Sequence, residues 1–287
     1  MAGDGSRKRN IAVRIYGLDF TSSPGRRKPL VAVGCGFDDG VLSVETAEEM
    51  RSLRELEGFL SREGPWICGL DLPFGQPRGL IEALGWPESW EEYVGEIGRL
   101  TKEGFEEAIR GDMARRPPGE KYRYRLADRR SGSLSTMMLF RVPLAKMFYQ
   151  GAPRLLRSGV SVVPCRQNGD PRVAVESYPA LVARHLIGRT PYKSDERSKQ
   201  TQERRAARED LVEKLTSPEL QDAYGLAVEL DARWHERLIE EPAADTLDSV
   251  LCAVQAAWAY SRKEEGWGVP GEYDPDEGWI PDPALLE

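Results

Sequence analysis

Several chemistries are excluded by what this sequence has little of. It holds two histidines, His185 and His235, in 287 residues. Neither lies near a serine or cysteine at a strand end, so a nucleophilic triad has no support. The four cysteines, Cys35, Cys68, Cys165 and Cys252, are far apart, and three sit within apolar runs. None has a partner at metal-finger spacing, and they read as buried free thiols in a reducing, cytoplasmic setting. No phosphate-binding loop or dinucleotide fingerprint occurs, because Gly34-Cys35-Gly36 lies inside a strand and before a hairpin. No run reaches the ~18 apolar residues of a membrane span, so no membrane partner is expected. Met1–Asn10 is polar and basic with no apolar stretch behind a cleavage site, unlike a secretory signal.

Charge is less decisive. The net −7 is neutral evidence about a nucleic-acid partner, because a binding face needs only a local patch. Two basic stretches exist. One holds Arg115, Arg116, Lys121, Arg123, Arg125, Arg129 and Arg130 with Tyr122 and Tyr124 interleaved; the other, around Lys193–Arg208, is diluted by acids.

Residues 11–20, 29–37 and 41–45 read as three strands of an antiparallel meander, with Asp38-Asp39-Gly40 as the tight turn between the last two. Ala47–Arg62 has helical apolar spacing, and Pro65–Leu72 is a nearly continuous apolar run suited to a strand buried on both faces. Residues 79–160 read as a helical insertion broken by Pro87, Pro117-Pro118, Pro143 and Pro153, its basic 117–132 portion an exposed loop. Arg172–Glu176 is a fifth strand, followed by a helix from Pro179 through His185. Residues 195–215 and 218–240 are charged helices, and Asp245–Lys263 is the last strong one; the tail after Gly266 is an extended strap or disordered. The expectation is a mixed α/β fold with a five-stranded sheet flanked by helices. All 287 residues form one domain carrying the 79–160 insertion. A helical crossover into the fourth strand makes it parallel to the first and gathers chemistry at their carboxyl ends.

Asp19 and Asp71 each end an apolar strand, in the matching contexts Gly17-Leu18-Asp19-Phe20 and Gly69-Leu70-Asp71-Leu72. A carboxylate there is costly to desolvate unless something positive meets it. On adjacent strands both would face one small volume, where a divalent cation relieves their repulsion. Asp245 and Asp248 open the final helix, where capping is a competing explanation. The apolar stripe Leu247, Val250, Leu251, Val254 and Trp258 puts Asp248 at the edge of the buried face, making it the better ligand, with Asp245 in support. Glu176 ends the fifth strand as a fourth acid. Hard carboxylate oxygens without imidazole or thiolate suit Mg²⁺ or Mn²⁺.

At these residues the chain resembles ribonuclease H-like nucleases. More closely, Tyr16–Pro24, Asp71-Leu72-Pro73-Phe74-Gly75, Glu176-Ser177-Tyr178-Pro179 and Asp245-Thr246-Leu247-Asp248-Ser249 resemble domain of unknown function 429, a predicted nuclease family. The four motifs fall in order across residues 11–262; Ser249 departs from the alanine more usual there. The resemblance implies two-metal phosphodiester hydrolysis of DNA or RNA. Asp19 would bridge two ions, Asp71 and Asp248 would each complete one side, and Glu176 would be a ligand or hold a metal-bound water. Thr21 and Ser22 would hydrogen-bond a phosphate oxygen, while the 115–130 segment, with Arg123 and Arg125, would grip the backbone or stack bases. Two rivals stand beside this reading. One is an actin- or sugar-kinase-like phosphotransferase, weakened because Phe20-Thr21-Ser22-Ser23 lacks the expected glycine. The other is a non-catalytic nucleic-acid-binding protein whose acids only cap and salt-bridge.

Overall fold

The computed structural model describes residues 13–286. The basic Met1–Asn10 segment and positions 11 and 12 of the expected first strand lie outside the described residues. In chain order the elements are β1 (Arg14–Asp19), β2 (Leu30–Asp38), β3 (Val41–Met50), α1 (Leu53–Leu60) and β4 (Trp66–Leu70). Helices α2 (Arg78–Leu84), α3 (Trp90–Ile97), α4 (Lys102–Arg115), α5 (Leu126–Ser131) and α6 (Leu144–Ser158) follow. Then come β5 (Ser161–Val163), β6 (Arg172–Glu176), α7 (Pro179–Ile187), α8 (Gln202–Leu215) and α9 (Pro218–Tyr224). The last elements are β7 (Ala227–Glu229), α10 (Ala232–Glu240) and α11 (Asp245–Ser261).

The fold is α/β, with one mixed seven-stranded sheet in the order β5-β6-β4-β1-β2-β3-β7. The expected meander and parallel pairs are present: β2 runs antiparallel to β1 and β3, while β4 is parallel to β1 and to β6. The expected five strands become seven because β5 and β7 are three residues each. A strand that short shows too little alternation to be seen, and it forms only because a neighbouring edge offers partners.

Local chemistry explains several boundaries. The β2–β3 turn has Asp39 at φ 47° and Gly40 at φ 77°, the left-handed pair a two-residue hairpin requires. β3 runs to Met50, which pairs with Leu30, so residues 46–50 belong to the sheet and not to the next helix. That helix starts where Ser52 accepts from the Glu55 N–H at 3.2 Å and Glu55 reaches back to the Arg51 N–H at 2.9 Å. The expected 218–240 helix is split at Gly225, which adopts φ 65°. Pro153 sits inside α6 and does not break it, since its ring is buried against the end of α3 at Gly98. The tail is packed: Trp279, Ile280, Asp282 and Leu285 are buried.

Two cores lie on the two faces of the sheet. Ile15, Val33, Ile67, Val173 and Val175 face α7, α8, α10 and α11. Leu18, Ala32, Cys68, Leu70 and Ala174 face α1 and the helices of the insertion. The first face is packed unusually close. A β-carbon on Gly17 would lie 1.9 Å from the Ser249 carbonyl oxygen, and one on Gly69 would lie 2.3 Å from that of Cys252. Glycine at these strand positions lets the α11 backbone rest directly on the sheet.

Gly17→Ala is therefore expected to destabilise the fold by at least about 3 kcal/mol, because backbone and not a flexible side chain must move. Gly58→Ala is the control: nothing stands within 4 Å of its β-carbon position in α1, and a small gain is expected. Urea denaturation of both variants checks this; equal stabilities would refute the close-approach argument.

Candidate active site

Strand parity decides which acids meet. Leu18, Leu70 and Glu176 stand side by side in the sheet, as do Gly17, Gly69 and Val175. Neighbours across a sheet share a face and successive residues alternate. Asp19, the last residue of β1, and Asp71, just past the end of the adjacent parallel β4, therefore fall on the α11 face, and Glu176 on the opposite one.

The close seat of α11 brings a third acid to the first two. Asp248 lies in the first turn of α11 and is fully buried. Ser249 fastens this turn to the sheet: its Oγ accepts from the Asp19 N–H at 3.3 Å and lies 2.9 Å from the Val31 carbonyl. The Asp71 N–H donates to the Leu18 carbonyl at 2.9 Å, holding the two strand ends together. Burial raises the Asp19 carboxyl well above the ordinary range, and the charges of Asp248 and Asp71 raise it further. Asp71 is pushed up to about 7, chiefly by burial, with Lys193 opposing and Asp248 adding to the shift. Asp19 is 6% exposed and Asp71 is half-buried at a pocket, and among the described residues no group donates a hydrogen bond to either carboxylate.

The positive charge nearest the three aspartates is Lys193. Its ammonium bonds the Asp248 carboxylate, which also accepts from the Tyr192 hydroxyl at 2.6 Å. Burial works against the Lys193 charge, but Asp248, Tyr192 and Asp19 outweigh it and raise its pKa. The Lys193 side chain is still 45% exposed, since it enters the site from a surface loop. That loop joins α7 to α8 and is held by Arg208, which donates to the Tyr192 carbonyl at 2.9 Å and the Ile239 carbonyl at 2.7 Å. Lys193 was placed by sequence in a diluted basic stretch, with nothing to distinguish it. A lysine beside a tyrosine after a β-strand–helix unit is too common a pattern to have flagged it.

Asp245 sits beside this group but does not cap the helix. The N-cap is Ala244, at φ 58°. The Asp245 carboxylate accepts from Lys28 at 3.1 Å, and Lys28 also bonds Asp195 at 2.9 Å, tying the β1–β2 loop to the Lys193 loop. Thr21 and Ser22 follow Asp19 in that β1–β2 loop and are half-buried.

Three expectations are corrected. Glu176 lines the same pocket as Asp71 and its charge raises the Asp71 carboxyl, but its own carboxylate is engaged, accepting from Arg125 at 2.6 and 2.8 Å and from the Phe74 N–H at 2.8 Å. Arg125 is 2% exposed and is further engaged by Asp128 at 2.8 Å, so it is a buried structural cation and not a grip on a nucleic-acid backbone. Arg123 likewise spends its guanidinium on both oxygens of buried Asp112, each at 3.0 Å. A basic cluster in sequence shows charge but not the buried acids that consume it.

For a divalent cation, the donor chemistry fits: carboxylate oxygens without imidazole, and a Cys252 thiol whose pKa is raised by burial. Among the described residues no three acidic, imidazole or thiol side chains are grouped so as to hold a metal as they stand. Lys193 holds Asp248 instead, and Asp19 and Asp71 are the two carboxylates without a donor.

A family model described as Protein of unknown function (DUF429) matches residues 17–272. No curated protein and no solved structure matches the chain. No helix among the described residues is long and apolar enough to cross a membrane.

A carboxyl whose folded-state pKa is raised destabilises the protein at high pH, and the penalty disappears as pH falls below the unfolded value. With chelator present, Asp71→Asn is expected to raise stability above pH 7, where Asp71 is charged. The gain is on the order of 1–2 kcal/mol, or roughly 3–6 °C in Tm. Near pH 4 the gain should vanish. Thermal melts across this range check it; a loss of stability at high pH would show that Asp71 is a satisfied structural acid.

Proposed function

The chain belongs to the DUF429 family, and we propose that it is a metal-dependent phosphodiester hydrolase, a nuclease of ribonuclease H-like architecture. One observation carries the reading: Asp19 and Asp71, at the ends of adjacent parallel strands, stand close enough to Asp248 that their charges repel, and among the described residues no group donates a hydrogen bond to either of the two strand-end carboxylates. A fold gains nothing in stability from such an arrangement, and unrelieved charge of this kind is characteristic of sites that bind a cation. The antiparallel meander flanked by parallel strands supports the architectural part of the reading.

Asp19, Asp71 and Asp248 would hold Mg²⁺ or Mn²⁺. When bound, such an ion polarises a phosphodiester and lowers the pKa of a water nucleophile. The remaining work belongs to the chain. Ser249 and the Asp71 N–H fix the spacing of the strand ends against α11, so the carboxylates are set before substrate arrives. Lys193, entering from a partly exposed loop, can exchange Asp248 for a phosphate oxygen and neutralise charge there. Thr21 and Ser22 offer hydroxyl donors next to Asp19. Asp245, through Lys28 and Asp195, holds the two loops that border the site. Glu176 and Arg125 support the opposite face, where their buried pair anchors the Phe74 backbone and α5.

Calorimetry with Mn²⁺ tests the reading. Asp19→Asn should weaken binding by more than about tenfold and abolish cleavage of a nucleic-acid panel. Lys193→Met should act in opposite directions on the two readouts, strengthening Mn²⁺ binding by removing a competing cation while slowing cleavage. If the wild type binds no Mn²⁺ with or without nucleic acid, the hydrolase reading fails and a binding role replaces it.

A further inference from the structure

Beside the aspartates is a pocket of about 270 Å³. Asp71 and Lys193 line it, as does the Arg125–Asp128–Glu176 network. Its walls are largely apolar: Leu134, Leu144 and Met147 from the insertion, Tyr178 and Pro179 from the start of α7, and Ile280 from the tail. Leu134 and Val142 line it and remain 42% and 47% exposed, and neighbouring Phe140 is 60% exposed. The volume falls just below the range of drug-sized sites and suits one flat ring system.

A second depression of about 550 Å³ shares α6 with the first but has the opposite character. It is lined by Ser22 and Ser23, from the loop that follows Asp19, and by Arg51, Lys102 and Lys146. Leu144 and Met147 of α6 face the apolar pocket, whereas Lys146 and Gln150 face the basic groove. Spacings of three and four residues give each pair its own side of the helix. One helix thus separates a ring-sized apolar pocket from a cationic, hydroxyl-lined groove, and the aspartates border both through Asp71 and the Asp19 loop.

We infer that the site takes single-stranded nucleic acid, with one unpaired base in the apolar pocket and flanking phosphates along the Arg51–Lys102–Lys146 groove. This assignment rests on the phosphodiesterase reading for the position of the scissile group. A base inside a duplex cannot enter a walled pocket without being unpaired and unstacked, so a base already free is favoured. Tyr178 supplies a ring face for stacking, and a sequence-tolerant apolar wall suits any base. The groove favours a strand over an isolated nucleotide: Lys102, together with Arg51 and Lys146 in solvent-accessible pairs with Glu49 and Glu106 that a phosphate can exchange, would meet successive phosphates, whereas a single nucleotide brings one.

The test is fluorescence anisotropy with labelled single strands of roughly twelve nucleotides, DNA and RNA, against the same sequence as duplex, with and without Mn²⁺. Single strand should bind at least about tenfold tighter than duplex, as expected for one stacked base. Leu134→Asp, at an exposed rim position, and Ala180→Trp, at a half-buried position on the pocket wall, should each cost about tenfold for single strand while leaving Mn²⁺ affinity unchanged. Equal affinity for single strand and duplex, or single-strand affinity untouched in both variants, overturns the inference. Adenosine monophosphate competing as strongly as the oligonucleotide overturns the strand assignment. The two readings fail separately. Mn²⁺ binding with cleavage that ignores strandedness and both variants leaves the hydrolase and removes the pocket. Single-strand preference lost in both variants, without Mn²⁺ binding or cleavage, leaves the pocket and removes the hydrolase.

Discussion

The contact on which the site depends is the direct seat of α11 on the sheet. At Gly17 and Gly69 no side chain separates helix backbone from strand backbone, and the positions a β-carbon would occupy are already taken by the carbonyl groups of Ser249 and Cys252. A larger residue at either position would lift the helix by the thickness of a side chain. Asp248 would then stand clear of Asp19 and Asp71, and the Ser249 hydroxyl would lose both the Asp19 N–H and the Val31 carbonyl. The glycines two residues before each aspartate are thus part of the site, although they carry no chemistry. Packing at this distance tolerates little adjustment, which makes the spacing of the acids a property of the core and not of mobile loops.

Electrostatics divides the sheet into two halves with different logic. On the insertion face, Glu176, Arg125 and Asp128 form a buried network in which each charge has a partner of good geometry. Removing any one member would leave another unpaired, which is why such networks are structural commitments. On the α11 face, burial and like charge accumulate on Asp19 and Asp71, and partial relief comes from Lys193, joined at Asp71 by Lys28. The first arrangement holds the tail and insertion against the sheet. The second leaves repulsion only partly relieved, and on the proposed reading a divalent cation would discharge it.

The insertion and the tail give the site its surroundings. Arg78 on α2 binds Asp274 at 2.6 Å and Asp276 at 3.0 Å, and Tyr93 on α3 donates to the Asp276 carbonyl at 2.7 Å. The tail therefore locks the insertion in place and contributes Ile280 to the apolar pocket. Residues more than 200 positions apart in sequence, Asp71 and Ile280, share one cavity. Substrate recognition, on this view, is assembled from parts that carry no common motif.

Much of this was legible in one dimension. Strand-end aspartates, the Asp-x-x-Asp opening of the last helix, the meander and the helical insertion follow from apolar runs and turn chemistry, which act over a few residues and leave local signals. The partners of charged groups were not. Arg123 and Arg125 read as a free basic patch, Glu176 as a ligand or the holder of a metal-bound water, and Asp245 as a supporting acid or a cap, because sequence shows a charge without the opposite charge that folding brings to it. Lys193 read only as one member of a diluted basic stretch for the same reason, and β5 and β7 were missed because three residues cannot display a period. The sequence by itself determined which acids end strands and open helices, since desolvation and periodicity are local. Only the tertiary structure decided which of them face each other, because that depends on strand parity, on the depth at which α11 rests, and on a lysine delivered by a distant loop.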